Sequence, residues 1–142
     1  MPPAFVADKA VVVNSLISEG CEIYGEIENS VIFQGVIVEE GAIVKDSVIM
    51  TKCRIGKNTA IEKAVISEGA MIGNDVTIGI GEEAPNIERP DIYTGGITTI
   101  GNDVTIPDGV KIGKNCAVYP RVTEKEFKGI TKLESGGVIK RT

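Results

Sequence analysis

The sequence of 142 residues lacks histidine and tryptophan and has only three tyrosines and three phenylalanines. Without an imidazole, the chain alone excludes a histidine general base, a Ser-His-Asp triad and the usual histidine-ligated zinc sites. Leucine is nearly absent as well, with two residues against 21 isoleucines and 16 valines. Because β-branched residues favour strands whereas helices favour leucine and other unbranched residues, this composition predicts an all-β chain.

Basic charge and long hydrophobic runs are also scarce. The net charge is -5, and an acidic chain with few aromatic residues is a poor nucleic-acid binder, so we expect no nucleic-acid partner. No apolar run approaches the roughly 18 residues that a membrane span needs, so we expect no membrane partner. The three cysteines, Cys21, Cys53 and Cys116, are too far apart for a disulfide framework or a metal knuckle. They are expected to be reduced core residues of a cytoplasmic protein.

An internal repeat is the strongest pattern in the sequence. Aliphatic residues recur at steps of six, shortened to five at two corners. A small residue, such as Cys53, Val48 or Val65, follows most of them four positions later and is predicted to point inward. Three such units form one triangular coil, and stacked coils align the aliphatic side chains into columns. The predicted columns are Ile17, Ile32, Ile49 and Ile66; Ile23, Val38, Ile55 and Ile72; and Val44, Ile61 and Ile78.

The hexapeptide period predicts a single-stranded parallel β-helix, which is an all-β hexapeptide-repeat solenoid. We expect it to span residues 1–120, interrupted by one excursion loop at residues 79–97. A tolerated surface insertion explains this loop more simply than a binding loop does. Residues 121–142 fall out of register and are expected to form a C-terminal tail that caps the open end. A short step between two predicted column residues suggests that one coil loses a corner around residues 25–28.

Basic side chains are the candidates for a binding site. Arg89, Lys111, Lys114 and Arg121 are the residues expected to contact an effector or another anion, such as a phosphorylated metabolite. A solvated charged face is the simpler explanation. The carboxylates show no paired spacing for general acid and base roles, and Gly-rich phosphate loops are absent. The sequence therefore predicts no catalytic residue, no cofactor-binding residue and no metal ligand in this chain.

Several segments resemble the C-terminal left-handed β-helix of bacterial glucose-1-phosphate adenylyltransferase. They include Asn14-Ser-Leu-Ile-Ser-Glu-Gly-Cys, Asn29-Ser-Val-Ile-Phe-Gln-Gly-Val, Lys45-Asp-Ser-Val-Ile-Met and Pro90-Asp-Ile-Tyr-Thr-Gly-Gly-Ile. The resemblance covers residues 2 to about 120, and nothing is matched beyond them. It implies left-handed coiling, which composition and spacing do not establish.

The resemblance implies that the parent protein makes ADP-glucose and pyrophosphate from ATP and glucose 1-phosphate for glycogen synthesis. ATP and Mg²⁺ would bind in an N-terminal nucleotidyltransferase domain that this chain lacks, so the chain alone is expected to be inactive. The family uses its β-helix for allosteric regulation and for oligomerisation. The implied assembly is a homo-oligomer, a tetramer in the full-length enzyme, or a hetero-oligomer with a catalytically silent paralogue. Gly101 stands where plant and cyanobacterial relatives carry an activator-site lysine, so this chain departs from that site.

Three other interpretations stay open. The chain is a stand-alone structural or assembly module, the β-helix of another sugar-phosphate nucleotidyltransferase, or a histidine-free acyltransferase. The last is the weakest, because acyltransferases with this fold resemble one another in using a histidine base between coils. β-Helix carbonic anhydrases hold zinc with three histidines, which excludes them on the same ground.

Overall fold

The computed structural model describes residues 2–142, so Met1, the first residue of the predicted β-helix, lies outside the described residues. Within this range the chain forms strands of two or three residues joined by turns, and every strand pair is parallel. No helix in the described part of the chain is long and apolar enough to cross a bilayer. The predicted all-β parallel β-helix is confirmed, and the arrangement is consistent with left-handed coiling.

The strands stack into three sheets, which we call wall 1, wall 2 and wall 3. Wall 1 contains β1 (Phe5–Val6), β4 (Glu22–Ile23), β7 (Ile37–Val38), β10 (Arg54–Ile55), β13 (Met71–Ile72) and β16 (Thr105–Ile106). Wall 2 contains β2 (Val11–Val13), β5 (Glu26–Glu28), β8 (Ile43–Lys45), β11 (Ala60–Glu62), β14 (Thr77–Ile78), β17 (Lys111–Ile112) and β19 (Lys132–Leu133). Wall 3 contains β3 (Leu16–Ile17), β6 (Val31–Ile32), β9 (Val48–Ile49), β12 (Ala64–Ile66), β15 (Thr98–Ile100), β18 (Ala117–Val118) and β20 (Val138–Ile139).

Each wall places one column of aliphatic side chains in the interior, and the predicted columns are confirmed by the strand register. In wall 3, Ile32 pairs with Ile49, and Ile49 pairs with Ile66. Ile55 of wall 1 and Ile61 of wall 2 are likewise at most 1% exposed. Because burying one such side chain stabilises the fold by about 2 kcal/mol, the repeated columns are the main source of stability.

A second inward position lies two residues before each column residue and holds a small side chain. The three cysteines occupy it, and all three are free and buried, which confirms them as core residues. At the five-residue corners this position is serine or alanine. The Ser47 hydroxyl donates to the Lys45 carbonyl (2.7 Å) and accepts from the Ala64 amide (3.1 Å). The prediction that Val48 and Val65 point inward is therefore wrong, since they are half-buried on the outer face of wall 3.

The coil around residues 25–28 keeps its third wall, so the predicted loss of a corner is wrong. β5 pairs with β2 and with β8, and its Ile27 is a buried column residue of wall 2. Few residues separate the column positions of walls 1 and 2 in this coil, because the turn at Gly25 is tight. A Cβ atom at Gly25 would collide with the Ala42 carbonyl oxygen of the next coil, so glycine is required there.

Two strands near the end of the chain continue the β-helix, so the expectation that residues 121–142 fall out of register is wrong for residues 132–139. Leu133 pairs with Ile112, and Ile139 pairs with Val118. Wall 1 gains no further strand among the described residues. Residues 123–130 form hydrogen-bonded turns instead, and their Phe127 is 3% exposed in the core.

Candidate functional site: the excursion loop and its lock

The excursion loop, residues 79–97, is inserted at the corner between walls 2 and 3. It leaves wall 2 after β14 and enters wall 3 at β15, and no strand is formed between them. The Lys63 ammonium, in the matching corner of the preceding coil, donates to the Gly95 carbonyl at 2.9 Å. The loop therefore interrupts the prism without disturbing the coils on either side of it.

Two buried amide side chains hold the excursion loop against the prism. Asn115 is 5% exposed, and its Nδ2 donates to the Ala84 carbonyl at 3.0 Å while its Oδ1 accepts from the Gly96 amide at 2.8 Å. Asn86 is 2% exposed and donates from Nδ2 to the Asn115 carbonyl at 2.9 Å. Because buried polar groups are costly to leave unpaired, these bonds fix both ends of the loop. We call this pair the asparagine lock.

The asparagine lock also orders the tip of the loop. The Oδ1 atom of Asn86 accepts from the backbone amides of Glu88 and Arg89, both at 2.9 Å. The guanidinium of Arg89 in turn pairs with Asp91 at 3.4 Å. Hydrogen bonding from Arg89 is the main cause that lowers the pKa of the Asp91 carboxyl. The tip is thus an ordered turn.

The last coil supplies a second set of contacts to the loop. The Ile87 amide donates to the Gly136 carbonyl at 2.9 Å, and Glu88 pairs with the Lys140 ammonium at 2.8 Å. That hydrogen bond raises the pKa of Lys140. Gly136 has φ +82°, and a Cβ atom there would collide with the Pro85 carbonyl oxygen. Glycine is therefore needed for the loop to approach this closely.

Two tyrosines meet where the loop borders wall 3. The neighbouring Tyr119 hydroxyl, followed by burial, raises the pKa of Tyr93. Lys140 lies over the Tyr119 ring, with its Nζ 5.4 Å from the ring centroid, a geometry suited to a cation–π contact. The loop, wall 3 and the last coil meet at this point.

A cleft of about 630 Å³ lies between the loop and wall 2. It is lined by Thr77, Ile80, Gly81, Glu82, Glu83, Ala84, Lys111, Ile112, Gly113, Lys132, Leu133, Glu134 and Ser135. Lys132 pairs with Glu134 at 3.4 Å, with both side chains mostly exposed. The cleft is therefore lined by charged side chains of both signs.

The four predicted effector contacts are spread over the C-terminal half of the chain. Lys111 lines the cleft, and Lys114 lies in the next turn, where its amide donates to Ser135 Oγ at 2.9 Å. Arg89 lies at the tip of the loop. Arg121 follows β18 at a different corner, and its amide donates to the Asn102 carbonyl at 2.8 Å. The structure gathers Lys111 and Lys114 near one end of wall 2 and leaves the other two apart, so a common effector site stays a prediction.

Asparagines 86 and 115 were not singled out by the sequence. Asn115 has a positive φ of 56°, and the corner residues Asn14 and Asn29 also have positive φ values, of 48° and 49°. Asparagine is common at such positions. Nothing in the repeat distinguishes the corner asparagine that binds a loop from those that do not. Only the return of the loop in three dimensions gives Asn115 its role.

The described residues show little that is suited to nucleophilic or metal chemistry. Residues 2–142 contain no group of three or more Asp, Glu, Cys or His side chains that could hold a metal ion. Burial raises the pKa of the Cys53 thiol to about 11, which keeps it protonated near neutral pH. Burial also raises the pKa values of Cys21 and Cys116.

Comparison with known proteins agrees with this geometry. The sequence model of the family described as "GlmU-like, C-terminal hexapeptide" matches residues 2–100. Among solved structures, the acetyltransferase domain of PglB from Neisseria gonorrhoeae FA1090 aligns over 94% of this chain and 55% of its own, with 18% identity and a TM-score of 0.37. That likeness is too low to bear on fold or function.

Three curated relatives of this chain carry the same name. Proteins named glucose-1-phosphate adenylyltransferase from Acetivibrio thermocellus and Pseudothermotoga lettingae are 41% and 53% identical over 139 residues, which is 98% of this chain and 33% of each relative. The protein of that name from Thermosipho melanesiensis is 57% identical over 118 residues, 83% of this chain and 29% of its own length. The chain thus spans about a third of the relatives it matches. The family match, the hexapeptide columns and the three walls agree with one another. The chain therefore belongs to the GlmU-like C-terminal hexapeptide family.

Proposed function

We propose that this chain is the C-terminal regulatory and oligomerisation domain of a glucose-1-phosphate adenylyltransferase. The observation that carries the proposal is the match to proteins of that name over 98% of the chain at 41% to 53% identity. Such similarity extends through every wall and into the last coil. Since the chain corresponds to 33% of those relatives, the proposed enzyme has a further part about twice as long.

In this proposal the chemistry belongs to that further part. An N-terminal nucleotidyltransferase domain would join ATP and glucose 1-phosphate into ADP-glucose, release pyrophosphate and supply glycogen synthesis in the cytoplasm. ATP and Mg²⁺ would bind there. The chain by itself would form no ADP-glucose.

The first coil offers a surface suited to the nucleotidyltransferase domain. Val6 and Val12, which pair with the column residues Ile23 and Ile27, are 46% and 36% exposed, because no coil of the described residues stacks on that end of the prism. An apolar end of this kind needs a cover. The first coil is therefore the natural contact for the rest of the enzyme.

The regulatory part of the proposal rests on basic side chains near the loop. Lys111 lines the cleft and Lys114 lies in the next turn. The proposed set of effector contacts also includes Arg89 at the loop tip and Arg121 at a different corner. An anionic effector that bound Lys111 would touch the loop and the last coil together. The proposed assembly is a tetramer of identical subunits or a hetero-oligomer with a silent paralogue.

A domain exchange tests the proposal directly. The matched C-terminal third of the Pseudothermotoga lettingae relative is replaced by residues 2–142, and ADP-glucose and pyrophosphate formation are measured. We expect the chimera to recover most of the activity that the truncated relative loses. The 142-residue chain alone should show none.

The control is the truncated relative rejoined to its own C-terminal third. If this control is active while the chimera behaves like the truncated enzyme, the proposal is overturned. A stand-alone assembly module would then be the better interpretation.

A further inference from the structure

Two glycines with free space around them lie near the ends of the excursion loop. Gly81 has φ +134° and Gly95 has φ +71°, values that other residues seldom adopt. A Cβ atom at these positions would find its nearest neighbour at 3.9 Å and 4.0 Å. At Gly79, by contrast, a Cβ atom would collide with the Glu62 carbonyl oxygen. Because nothing packs tightly against Gly81 and Gly95, their backbone angles can change without a collision.

The segment between these glycines, residues 82–94, buries almost none of its side chains. All of its residues are described, and Asn86 is the only buried one among them. Ala84 and Tyr93 are half-buried, and the others are exposed. Segments with few buried apolar contacts separate from a protein at a low free energy. The segment can therefore leave the prism without exposing a column.

Hydrogen bonds within the segment keep its own shape. The Oδ1 atom of Asn86 accepts from the Glu88 and Arg89 amides. The Arg89 carbonyl accepts from the amides of Ile92 and Tyr93, at 3.0 Å and 2.9 Å. None of these bonds has to break when the segment moves away from the coils. The segment can thus move as one body.

Polar contacts on two sides hold the segment against the coils. On one side, Asn115 donates to the Ala84 carbonyl, and Asn86 donates to the Asn115 carbonyl. On the other side, Glu88 pairs with Lys140, and these side chains are 38% and 54% exposed. Water can replace each of these partners, so the free energy that keeps the segment in place is small.

We propose that residues 82–94 form a hinged lid on the cleft, which opens about Gly81 and Gly95 as a rigid body while the coils stay closed. Residues 82–84 of the lid line the cleft together with Lys111 of wall 2. Movement of the lid therefore changes the width of the cleft. The asparagine lock and the pair with the last coil are the latches of the closed state.

Such a lid makes binding in the cleft dependent on the position of the loop. A ligand that touches both the lid and wall 2 favours the closed state by its difference in affinity for the two states. The role of Lys111 as an effector contact belongs to the proposed function, whereas the hinge does not depend on it. Lid movement and the ADP-glucose formation of the domain exchange are measured separately, so failure of one is distinguishable from failure of the other.

Distances between paired spin labels, measured by pulsed electron resonance on the 142-residue chain, test the lid. The native cysteines are buried, so labels are attached to Ile92→Cys on the lid and Lys57→Cys on a coil, both at exposed positions. We expect one main distance in the otherwise unchanged chain. Asn115→Gly, which removes a latch and keeps the bonds within the lid, should add a second discrete distance. The ratio of open to closed lid should rise by about tenfold or more.

The matched control is Asn58→Gly, which changes an exposed asparagine with φ +57° in a regular turn and should leave the distances unchanged. A second label pair, Lys57→Cys with Lys128→Cys, joins two exposed positions outside the lid. Its distance should stay the same in every variant. Thermal unfolding followed by circular dichroism checks that the variants keep the fold.

Lys140→Met removes the latch on the last coil and provides an independent variant. It should populate the same second distance, with a ratio of open to closed lid raised by about threefold. A second distance in neither variant overturns the inference. A broad distribution without a discrete second distance overturns it as well, because the segment would then unravel instead of turning on hinges. A changed distance between residues 57 and 128 would show that the coils open too, which also contradicts the lid.

Discussion

The regular coils and the excursion loop are neighbours in the chain but are held by different interactions. In the coils, Ile32, Ile49 and Ile66 stack in register at 0% exposure. In the loop, Ile87 and Ile92 are 74% and 54% exposed, and two buried asparagines provide the interior contacts. The coils are thus stabilised by many equivalent apolar contacts, whereas the loop depends on a few directed hydrogen bonds.

This difference predicts different responses to substitution. A change in a column acts on the coil above and the coil below, because each column residue packs between its counterparts. A change in the asparagine lock acts on the loop and leaves the coils in place. The following experiments test this contrast, beginning with the largest expected effect.

Ile55→Asp is expected to unfold the prism. Ile55 is 0% exposed in the wall 1 column, and an unpaired charge in that dry interior costs several kcal/mol. Urea unfolding followed by circular dichroism measures the loss. The control is Met71→Asp, which places the same charge on the outside of wall 1 where the side chain is 46% exposed. A folded Ile55→Asp variant as stable as this control would refute the column assignment.

Phe127→Ala is expected to destabilise the chain by about 3 kcal/mol, because it opens a cavity where a buried ring closes the end of the prism. Phe127 is 3% exposed. Thermal unfolding measures the loss, and hydrogen exchange should show the greatest change in residues 104–142. Lys128→Ala, an exposed neighbour in the same turns, is the control. Equal melting temperatures for the two variants would show that the ring does not close the end.

Asn115→Gly is expected to release the excursion loop without unfolding the coils. Glycine keeps the positive φ of 56° but removes the bonds to Ala84 and Gly96, which raises amide exchange in residues 80–96 by about tenfold or more. Asn58→Gly is the control, since Asn58 has φ +57° in a regular turn and is exposed. If both variants exchange alike, the lock contributes nothing to the loop.

An effect of pH on stability is expected from Cys53 in the coil interior. Burial raises the pKa of Cys53 from 9.0 to about 11, so the folded chain holds this proton more tightly than the unfolded chain does. The stabilisation is complete below pH 9 and is lost as the pH rises toward 11. Unfolding free energies of wild type and Cys53→Ala, measured from pH 8 to 11, should therefore converge as pH rises. Parallel curves would contradict the buried position.

The columns and the fold class follow from the sequence because each hexad repeats the same local rule. Ile17, Ile49 and Ile66 have the same inward role in successive coils, so one correct period predicts them all. Where the local rule changes, prediction fails. The short step through Gly25 suggested a missing corner, although a tight turn preserves Ile27 in the wall 2 column. Residues 132–139 resume the register after an irregular stretch that hid it from the pattern.

The candidate site was less accessible to sequence reasoning than the fold. Lys111 was chosen because it is basic, and it does line the cleft. Asn86 and Asn115 carry no signal in the repeat, since the two residues lie 29 positions apart and meet only after the loop returns. Hydrogen bonds from these side chains to the backbone of the loop have no period that a pattern search could detect.

The amino-acid sequence by itself determined the β-helix, its three columns and the exclusion of histidine chemistry, because these depend on residue type at fixed spacing. The tertiary structure decided how the loop is locked and how residues 123–130 place Phe127 in the core. Those features arise when residues far apart in the chain are brought together. Their energies depend on contacts between coils, which the period alone does not specify.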